Sequence, residues 1–139
     1  MITAVDSSVL LAIFNDEAGA DQWMETLIQA RLEGRLVICD IVYAEIAAGF
    51  EDQASLDQQL ESLGISLLQA TSEAAWKAGK VFRLYRQNGG PREHLIPDFL
   101  IATHAQTHAN RLAAIDRGYL RRWFKDLRLL TADRENLDR

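Results

Sequence analysis

The sequence predicts an α/β fold in which helices pack around a mostly parallel sheet. Short apolar runs of strand length alternate along the chain with longer segments of helical periodicity. The 139 residues, 48% of them hydrophobic, are enough to build one well-packed core. No repeat, linker or low-complexity segment interrupts the pattern. We therefore expect a single domain spanning residues 1–139.

The predicted strands are continuous apolar runs rather than alternating ones. RLVIC is typical of them, and uninterrupted hydrophobic character is characteristic of interior strands in parallel sheets. The predicted strands are residues 2–5, 35–39, 65–68, 111–115 and 127–130.

The helices are predicted from apolar spacings of three and four and from polar residues at their starts. Asp6 or Ser7, Asp40 and Thr71 are placed to cap three of the helices, and a fourth breaks at the Asn88-Gly89-Gly90-Pro91 sequence. The predicted helices are residues 7–15, 20–34, 40–50, 55–64, 73–87, 98–109 and 118–127.

Composition limits the classes of protein to be considered. No apolar stretch approaches the ~20 residues of a membrane span, and the MITAVD start lacks the basic region of a signal peptide. Cys39 is the only cysteine, which excludes an internal disulfide and favours a protein of the reducing cytoplasm. Within the apolar run LVIC, we predict that Cys39 is a small buried hydrophobic residue. The net charge of −5 argues against nucleic-acid binding, unless the acidic residues are gathered in a metal site.

Four of the twenty acidic residues stand in apolar surroundings. Asp6 and Asp116 each directly follow an apolar strand, and the carboxyl ends of parallel strands are where such sheets bind ligands. Asp98 begins a helix in IPDFLIA, and Glu45 lies within the apolar helix IVYAEIAAG. Each one alone is explained by helix capping or ion pairing. Together they predict a cleft of carboxylates.

Carboxylates that converge in one cleft repel each other unless a cation lies between them. Hard divalent ions such as Mg²⁺ and Mn²⁺ prefer oxygen ligands of this kind. The corresponding chemistry is metal-assisted hydrolysis, in which an activated water attacks phosphorus in line with the leaving group.

The strings VDSSVLLAIF, VYAEIAAGF, IPDFLIATHA and LAAID, in this order and spacing, resemble the PIN-domain nucleases. The short chain brings the resemblance closest to the VapC toxins of type II toxin–antitoxin pairs. It runs from about residue 2 to residue 130 and implies a PIN-like three-layer α/β/α sandwich. The implied activity is cleavage of single-stranded RNA by a Mg²⁺- or Mn²⁺-dependent endoribonuclease.

The resemblance also assigns roles to individual residues. Asp6 and Asp98 match the core metal ligands, Glu45 a ligand acting directly or through water, and Asp116 an outer or second-metal ligand. Ser8, with Ser7, matches a hydroxyl position that supports the first aspartate. One departure is Ala114, which stands where the family often has Thr or Ser. The implied partners are a cognate antitoxin, whose C-terminal segment blocks the cleft, an RNA substrate and a second copy of the chain.

Two further groups of residues have more than one interpretation. Arg83, Arg86 and Arg92 flank the Gly-Gly-Pro break and could grip the RNA backbone or form a solvated helix end. His104 and His108 have the i, i+4 spacing of a zinc pair, but that motif is weak alone, and we predict surface residues.

Two functions compete with the nuclease. One is a non-catalytic PIN-like interaction module, which the missing hydroxyl at position 114 would fit. The other is an aspartyl-phosphate phosphatase or receiver domain, but such a phosphatase usually has a second aspartate where this chain has Ser8.

Overall fold

A computed structural model describes residues 1–115 and 118–132 of the chain. The described residues form five strands, all parallel, in one sheet with the order β3-β2-β1-β4-β5. The strands are β1 (Ile2–Val5), β2 (Arg35–Ile38), β3 (Ile65–Leu67), β4 (Arg111–Ala113) and β5 (Leu129–Leu130). Each lies within a predicted strand, so the predicted α/β class with a parallel sheet is confirmed.

Seven helices connect or flank these strands within the described ranges. They are α1 (Ser7–Phe14), α2 (Ala20–Glu33), α3 (Asp40–Ala47), α4 (Gln53–Leu63), α5 (Ser72–Gln87), α6 (Ile96–His108) and α7 (Tyr119–Trp123). None of them is long and apolar enough to pass through a bilayer. The helix α6 begins two residues earlier than predicted, with Pro97 in its first turn, and α7 is only five residues long.

The strand order creates a switch point beside the central strand. From β1 the chain moves outward to β2 and β3, then returns across the sheet to β4 on the other side of β1. Right-handed crossovers place α1–α4 on one face of the sheet and α5–α7 on the other, which gives the three-layer α/β/α sandwich. Ligands of such sheets bind where the direction reverses, outside the carboxyl ends of the strands. Here that position lies between β1 and β4.

The core consists of the strands and the apolar faces of the surrounding helices. Residues of β1, β2 and β4 are buried, as are Trp23 and Leu27 on α2 and Leu56 and Leu60 on α4. These helix faces therefore belong to the core of the domain. Cys39 is also buried, which confirms its assignment as a small core residue.

A buried arginine crosses the amino-terminal end of the sheet. Arg111 on β4 is only 6% exposed, and its Nε donates to Thr3 Oγ1 at 2.9 Å. Its Nη2 lies 2.7 Å from Glu33 Oε1 at the end of α2. The charge of this guanidinium is thus balanced where β1, β4 and α2 meet, at the end of the sheet opposite to the carboxyl ends of the strands.

Two sequence predictions about polar residues are wrong. His104 is buried, and its Nε2 lies 2.6 Å from the Leu68 carbonyl oxygen, because α6 is covered on most of its sides and residues 101–105 are all inaccessible. Asp40 does not cap α3, whose N-cap is Cys39. Its carboxylate accepts instead from the Ala70 N–H at 3.0 Å.

Candidate active site

Asp6 stands at the carboxyl end of the central strand and begins the first helix. Its own N–H donates to the Ala113 carbonyl oxygen at 2.9 Å, which continues the pairing of β1 with β4. Its side chain caps α1 by accepting from the Ser8 N–H at 3.3 Å. Sequence reasoning offered a cap or a functional role. The capping role is confirmed, and both bonds from Ser8 go to the same oxygen, Asp6 Oδ2.

Ser8 links Asp6 to the neighbouring strand. Its hydroxyl donates to Asp6 Oδ2 at 2.5 Å and accepts from the Ile115 N–H at 3.2 Å. Ile115 comes immediately before Asp116 in the sequence. Ala114, where the resemblance expected a hydroxyl, is completely buried, and its N–H donates to the Leu130 carbonyl. A hydroxyl at the end of β4 is therefore supplied from α1 by Ser8.

Glu45 is presented by α3 from the side of the cleft opposite β4. Its neighbours Val42 and Ile46 are buried and hold the helix on the core, so the Glu45 side chain extends from the exposed side. Glu45 Oε1 accepts from the Ser7 hydroxyl at 2.9 Å. The consecutive serines of α1 thus each position one acidic residue, Ser7 holding Glu45 and Ser8 holding Asp6.

Asp98 lies in the first turn of α6. Its Oδ2 accepts from the Leu95 N–H at 3.0 Å, which fixes the carboxylate over the start of the helix. His94 Nδ1 lies 3.8 Å from the same oxygen. The Phe99 side chain, fully buried among aromatic rings, anchors this end of α6 in the core.

The charges of these three carboxylates interact. Burial is the main cause that raises the pKa of Asp6 above its ordinary value, and the charge of Asp98 adds to it, against the hydrogen bonds from Ser8. The pKa of Glu45 is also raised, first by partial loss of hydration and then by the charges of Asp6 and Asp98, against the bond from Ser7. No Lys or Arg among the described residues lies within 4 Å of Asp6 or Glu45 to offset this repulsion.

The donor set of this cleft fits a hard divalent cation. Among residues 1–115 and 118–132, no group of three His, Cys, Asp or Glu side chains is arranged so that it could hold a metal ion by itself. Mg²⁺ does not require one, since it keeps several waters and binds through one or two carboxylates. Asp116, the fourth predicted ligand, lies outside the described residues. The three described carboxylates, two of them with no described Lys or Arg within 4 Å, match such an ion.

The predicted basic residues are exposed. Arg83 and Arg86 project from the last turns of α5, and Arg92 follows the turn that ends it. Arg86 Nη1 donates to the Gly90 carbonyl at 3.1 Å, which ties that side chain to the turn. All three therefore lie on or beside the segment that leads into Asp98.

An aromatic cluster beside Asp98 was not predicted. The His94 and Tyr119 rings stack with centroids 3.9 Å apart, and Tyr85 contacts both His94 and Trp123 edge-on. The Tyr85 hydroxyl donates to the Pro91 carbonyl at 2.5 Å, which folds the turn after α5 onto the cluster. These rings are up to 38 residues apart in sequence, and no local pattern indicated that they would meet.

The comparisons with known proteins agree with this architecture. The PIN domain family model matches residues 3–135. No curated protein is similar enough in sequence to count as a relative.

Solved structures share the fold over nearly the whole chain. A chain of the VapBC2 structure from Rickettsia felis bound to a promoter DNA fragment is 21% identical, with a TM-score of 0.73, and the match covers 96% of this chain and 100% of that one. A chain of the VapBC-1 structure from nontypeable Haemophilus influenzae is 21% identical, with a TM-score of 0.68, and the match covers 94% of this chain and 98% of that one. A chain of a toxin–antitoxin complex from Klebsiella pneumoniae is 16% identical, with a TM-score of 0.61, and the match covers 85% of this chain and 89% of that one. The predicted resemblance is confirmed at the level of family and fold: the chain belongs to the PIN domain family.

Proposed function

We propose that this protein is a divalent-metal-dependent endoribonuclease that acts as the toxin of a type II toxin–antitoxin pair. The observation that carries the proposal is the mutual repulsion of the Asp6, Glu45 and Asp98 charges beside the switch point of the sheet. No described Lys or Arg lies within 4 Å of Asp6 or Glu45 to offset it. Membership of the PIN family and the shared fold with toxin–antitoxin structures support it.

Asp6 and Asp98 are the proposed core ligands of Mg²⁺ or Mn²⁺. Glu45 completes the site directly or through water, and Asp116, by its place after β4 in the sequence, is the fourth ligand. A divalent ion at such a site supplies a bound water of lowered pKa and stabilises negative charge that develops on phosphate oxygens.

The remaining residues prepare the carboxylates for that role. The Ser8 hydroxyl holds Oδ2 of Asp6, and the Ser7 hydroxyl holds Oε1 of Glu45. The Leu95 N–H holds Asp98 in the same way. Because these bonds fix each carboxylate before binding, little orientational freedom is lost when a ligand arrives.

RNA is the proposed substrate, and Arg83, Arg86 and Arg92 are proposed to contact its backbone. The acidic cleft alone would repel phosphate, so cations are needed beside it. These arginines lie on the segment leading into Asp98, and Arg86 is already held by the Gly90 carbonyl.

The proposed antitoxin site is an apolar groove between α1, α2, α3 and α4. Its volume is about 570 Å³, and its lining includes Leu11, Phe14, Met24, Ile46 and Phe50. Leu11 is 36% exposed, although its neighbours Leu10 and Ala12 on α1 are buried. A C-terminal antitoxin segment seated here would extend from the groove along α1 and block the cleft.

A homodimer in the cytoplasm completes the proposal. The dimer and the cytoplasmic location both follow from the family resemblance. Light scattering of the purified protein would test whether it is a dimer.

RNA cleavage by the purified protein tests the proposed activity. Total tRNA and an unstructured RNA are incubated with Mg²⁺, Mn²⁺ or EDTA. We expect metal-dependent cleavage that falls at least a hundredfold in Asp98→Asn and in Asp6→Asn.

Asp40→Asn is the matched control for Asp98→Asn. Both aspartates lie in the first turn of a helix and accept a backbone N–H at 3.0 Å, but Asp40 points to Ala70, away from the cleft. Equal activity of Asp98→Asn and Asp40→Asn would refute the assignment. Absence of cleavage by the folded wild-type protein with either metal would favour the interaction module instead.

A further inference from the structure

The aromatic cluster beside Asp98 encloses a pocket that the carboxylate chemistry does not use. The pocket has a volume of about 320 Å³, near the lower limit of ~300–1,000 Å³ for small-molecule sites. His94, Tyr119 and Trp123 line it and are each half-buried, while the buried Tyr85 forms its base. A pocket of this size admits one planar group rather than a helix or an extended peptide.

The pocket adjoins the proposed cleavage site. His94 forms part of its wall, and Nδ1 of the same ring lies 3.8 Å from Asp98 Oδ2. A group bound in the pocket is therefore separated from a proposed metal ligand by the width of one imidazole ring. In a single RNA strand, that position corresponds to a nucleotide next to the one being cleaved.

The chemistry of the walls matches a nucleobase. Unpaired bases of RNA are recognised by stacking on aromatic side chains and by hydrogen bonds to their edges, and each stacked base contributes about 1–3 kcal/mol in alanine substitutions. The rings are held in place by their contacts with one another, with the Tyr85 and Trp123 centroids 5.4 Å apart at 80°. A rigid aromatic surface of this kind loses little entropy on binding.

The rim carries a carboxylate, which accepts hydrogen bonds, and a guanidinium, which donates them. Glu93 and Arg122 both line the pocket and are both solvent-exposed. A carboxylate can accept two parallel N–H bonds, and a guanidinium can donate two. Guanine offers both complements, with N1–H and N2–H on one edge and the O6 and N7 acceptors on another. The other three bases of RNA lack one of these pairs.

We propose that this pocket binds an unpaired guanine of the RNA substrate, with Glu93 accepting from N1–H and N2–H and Arg122 donating to O6 and N7. This inference rests on the ribonuclease function proposed above. Stacking among His94, Tyr119 and Trp123 holds the base, and Glu93 and Arg122 select it. The pocket thereby sets the base preference and the register of the strand over the carboxylates.

Nucleotide binding without metal tests the pocket separately from catalysis. Full-length protein with ¹⁵N-labelled tryptophan is titrated by NMR in EDTA with GMP, AMP, CMP, UMP and ribose 5-phosphate. The Trp123 indole signal is assigned as the one lost in Trp123→Phe. We expect it to shift saturably with GMP, with an affinity at least tenfold above that for the other nucleotides, and to stay unmoved by ribose 5-phosphate.

The chain offers an internal control on α5. Trp76 is 67% exposed and Lys80 lies over its ring at 4.3 Å, yet neither lines the pocket. The Trp76 signal should not shift, and Lys80→Gln should bind GMP as the wild type does. Glu93→Gln should lower the affinity for GMP at least tenfold, and this exposed substitution should leave the NMR spectrum otherwise unchanged.

The two proposals fail by different results. A Trp123 signal unmoved by GMP, moved equally by all four nucleotides or moved by ribose 5-phosphate overturns the guanine pocket, even when the protein cleaves RNA. Selective GMP binding in a protein that cleaves no RNA with either metal keeps the pocket and overturns the nuclease. When both hold, cleavage sites should lie at a fixed distance from a guanine, and Glu93→Gln should relax that preference.

Discussion

Removal of the Ser8 hydroxyl should destabilise the protein far more than removal of the Ser7 hydroxyl. The two serines are adjacent at the start of α1, and each donates to one acidic side chain of the cleft. Ser8→Ala also breaks the bond from the Ile115 N–H, which links α1 to the end of β4. Ser7→Ala breaks only the bond to the exposed Glu45.

The expected magnitudes follow from the bonds that each change removes. A hydrogen bond to a charged group contributes about 1.5–3 kcal/mol and a neutral one about 0.5–1.5 kcal/mol. Alanine regains about 0.5 kcal/mol of helix propensity at either position. Ser8→Ala should therefore lower the free energy of unfolding by about 2–3 kcal/mol, because Asp6 is shielded from the water that would replace the hydroxyl. Ser7→Ala should lower it by less than about 1 kcal/mol, since Glu45 is exposed and water can replace the lost hydroxyl.

Urea unfolding in EDTA measures both changes. The transition midpoints are compared between wild type, Ser8→Ala and Ser7→Ala under conditions where the slope m stays constant. Equal losses for the two variants, or a larger loss for Ser7→Ala, would refute the conclusion that Ser8 joins β1, α1 and β4.

Three further predictions concern the histidine, the buried arginine and the apolar groove. Burial is the main cause that lowers the pKa of His104 below its ordinary 6.5. Below about pH 6.5 the unfolded chain therefore binds a proton at this histidine that the native state does not bind, so the free energy of unfolding should fall as the pH falls. His104→Gln should flatten that part of the stability profile in urea unfolding at pH 8, 6.5 and 5, and a profile as steep as that of the wild type would contradict it. Glu33→Gln should lower the free energy of unfolding, measured with urea, by about 1–3 kcal/mol, because it leaves the guanidinium of Arg111 buried without its counter-charge. A loss below the error of the measurement would show that solvent already screens the pair. Leu11→Asp should abolish inhibition by a co-purified antitoxin while RNA cleavage without antitoxin is retained, and inhibition that survives the change would exclude the groove as the antitoxin site.

The sheet and the acidic residues could be predicted because both depend on local sequence. A strand buried on both faces is apolar along most of its length, so RLVIC and RLAAI are recognisable without any partner. A carboxylate among apolar residues is costly to bury, so Asp6 and Glu45 were conspicuous in the sequence. Topology then brought the two carboxylates to one edge of the sheet.

The failures concern side chains whose partners are distant in sequence. Asp40 is a residue type that commonly caps helices, but its carboxylate accepts a hydrogen bond from the Ala70 N–H, thirty residues later. The prediction of His104 as a surface residue assumes a helix with one buried face, whereas α6 is covered around most of its circumference. The aromatic pocket joins α5, the turn before α6, and α7, and no periodicity within one helix predicts it.

Binding of Mn²⁺ to the purified protein tests the central claim most directly. Free and bound Mn²⁺ are distinguished by electron paramagnetic resonance during titration of wild type, Asp98→Asn and Asp40→Asn. We predict saturable binding by wild type and Asp40→Asn and at least a tenfold loss of affinity in Asp98→Asn. Equal binding by all three proteins, or no binding by the wild type, would contradict the assignment of Asp6, Glu45 and Asp98 as a metal site.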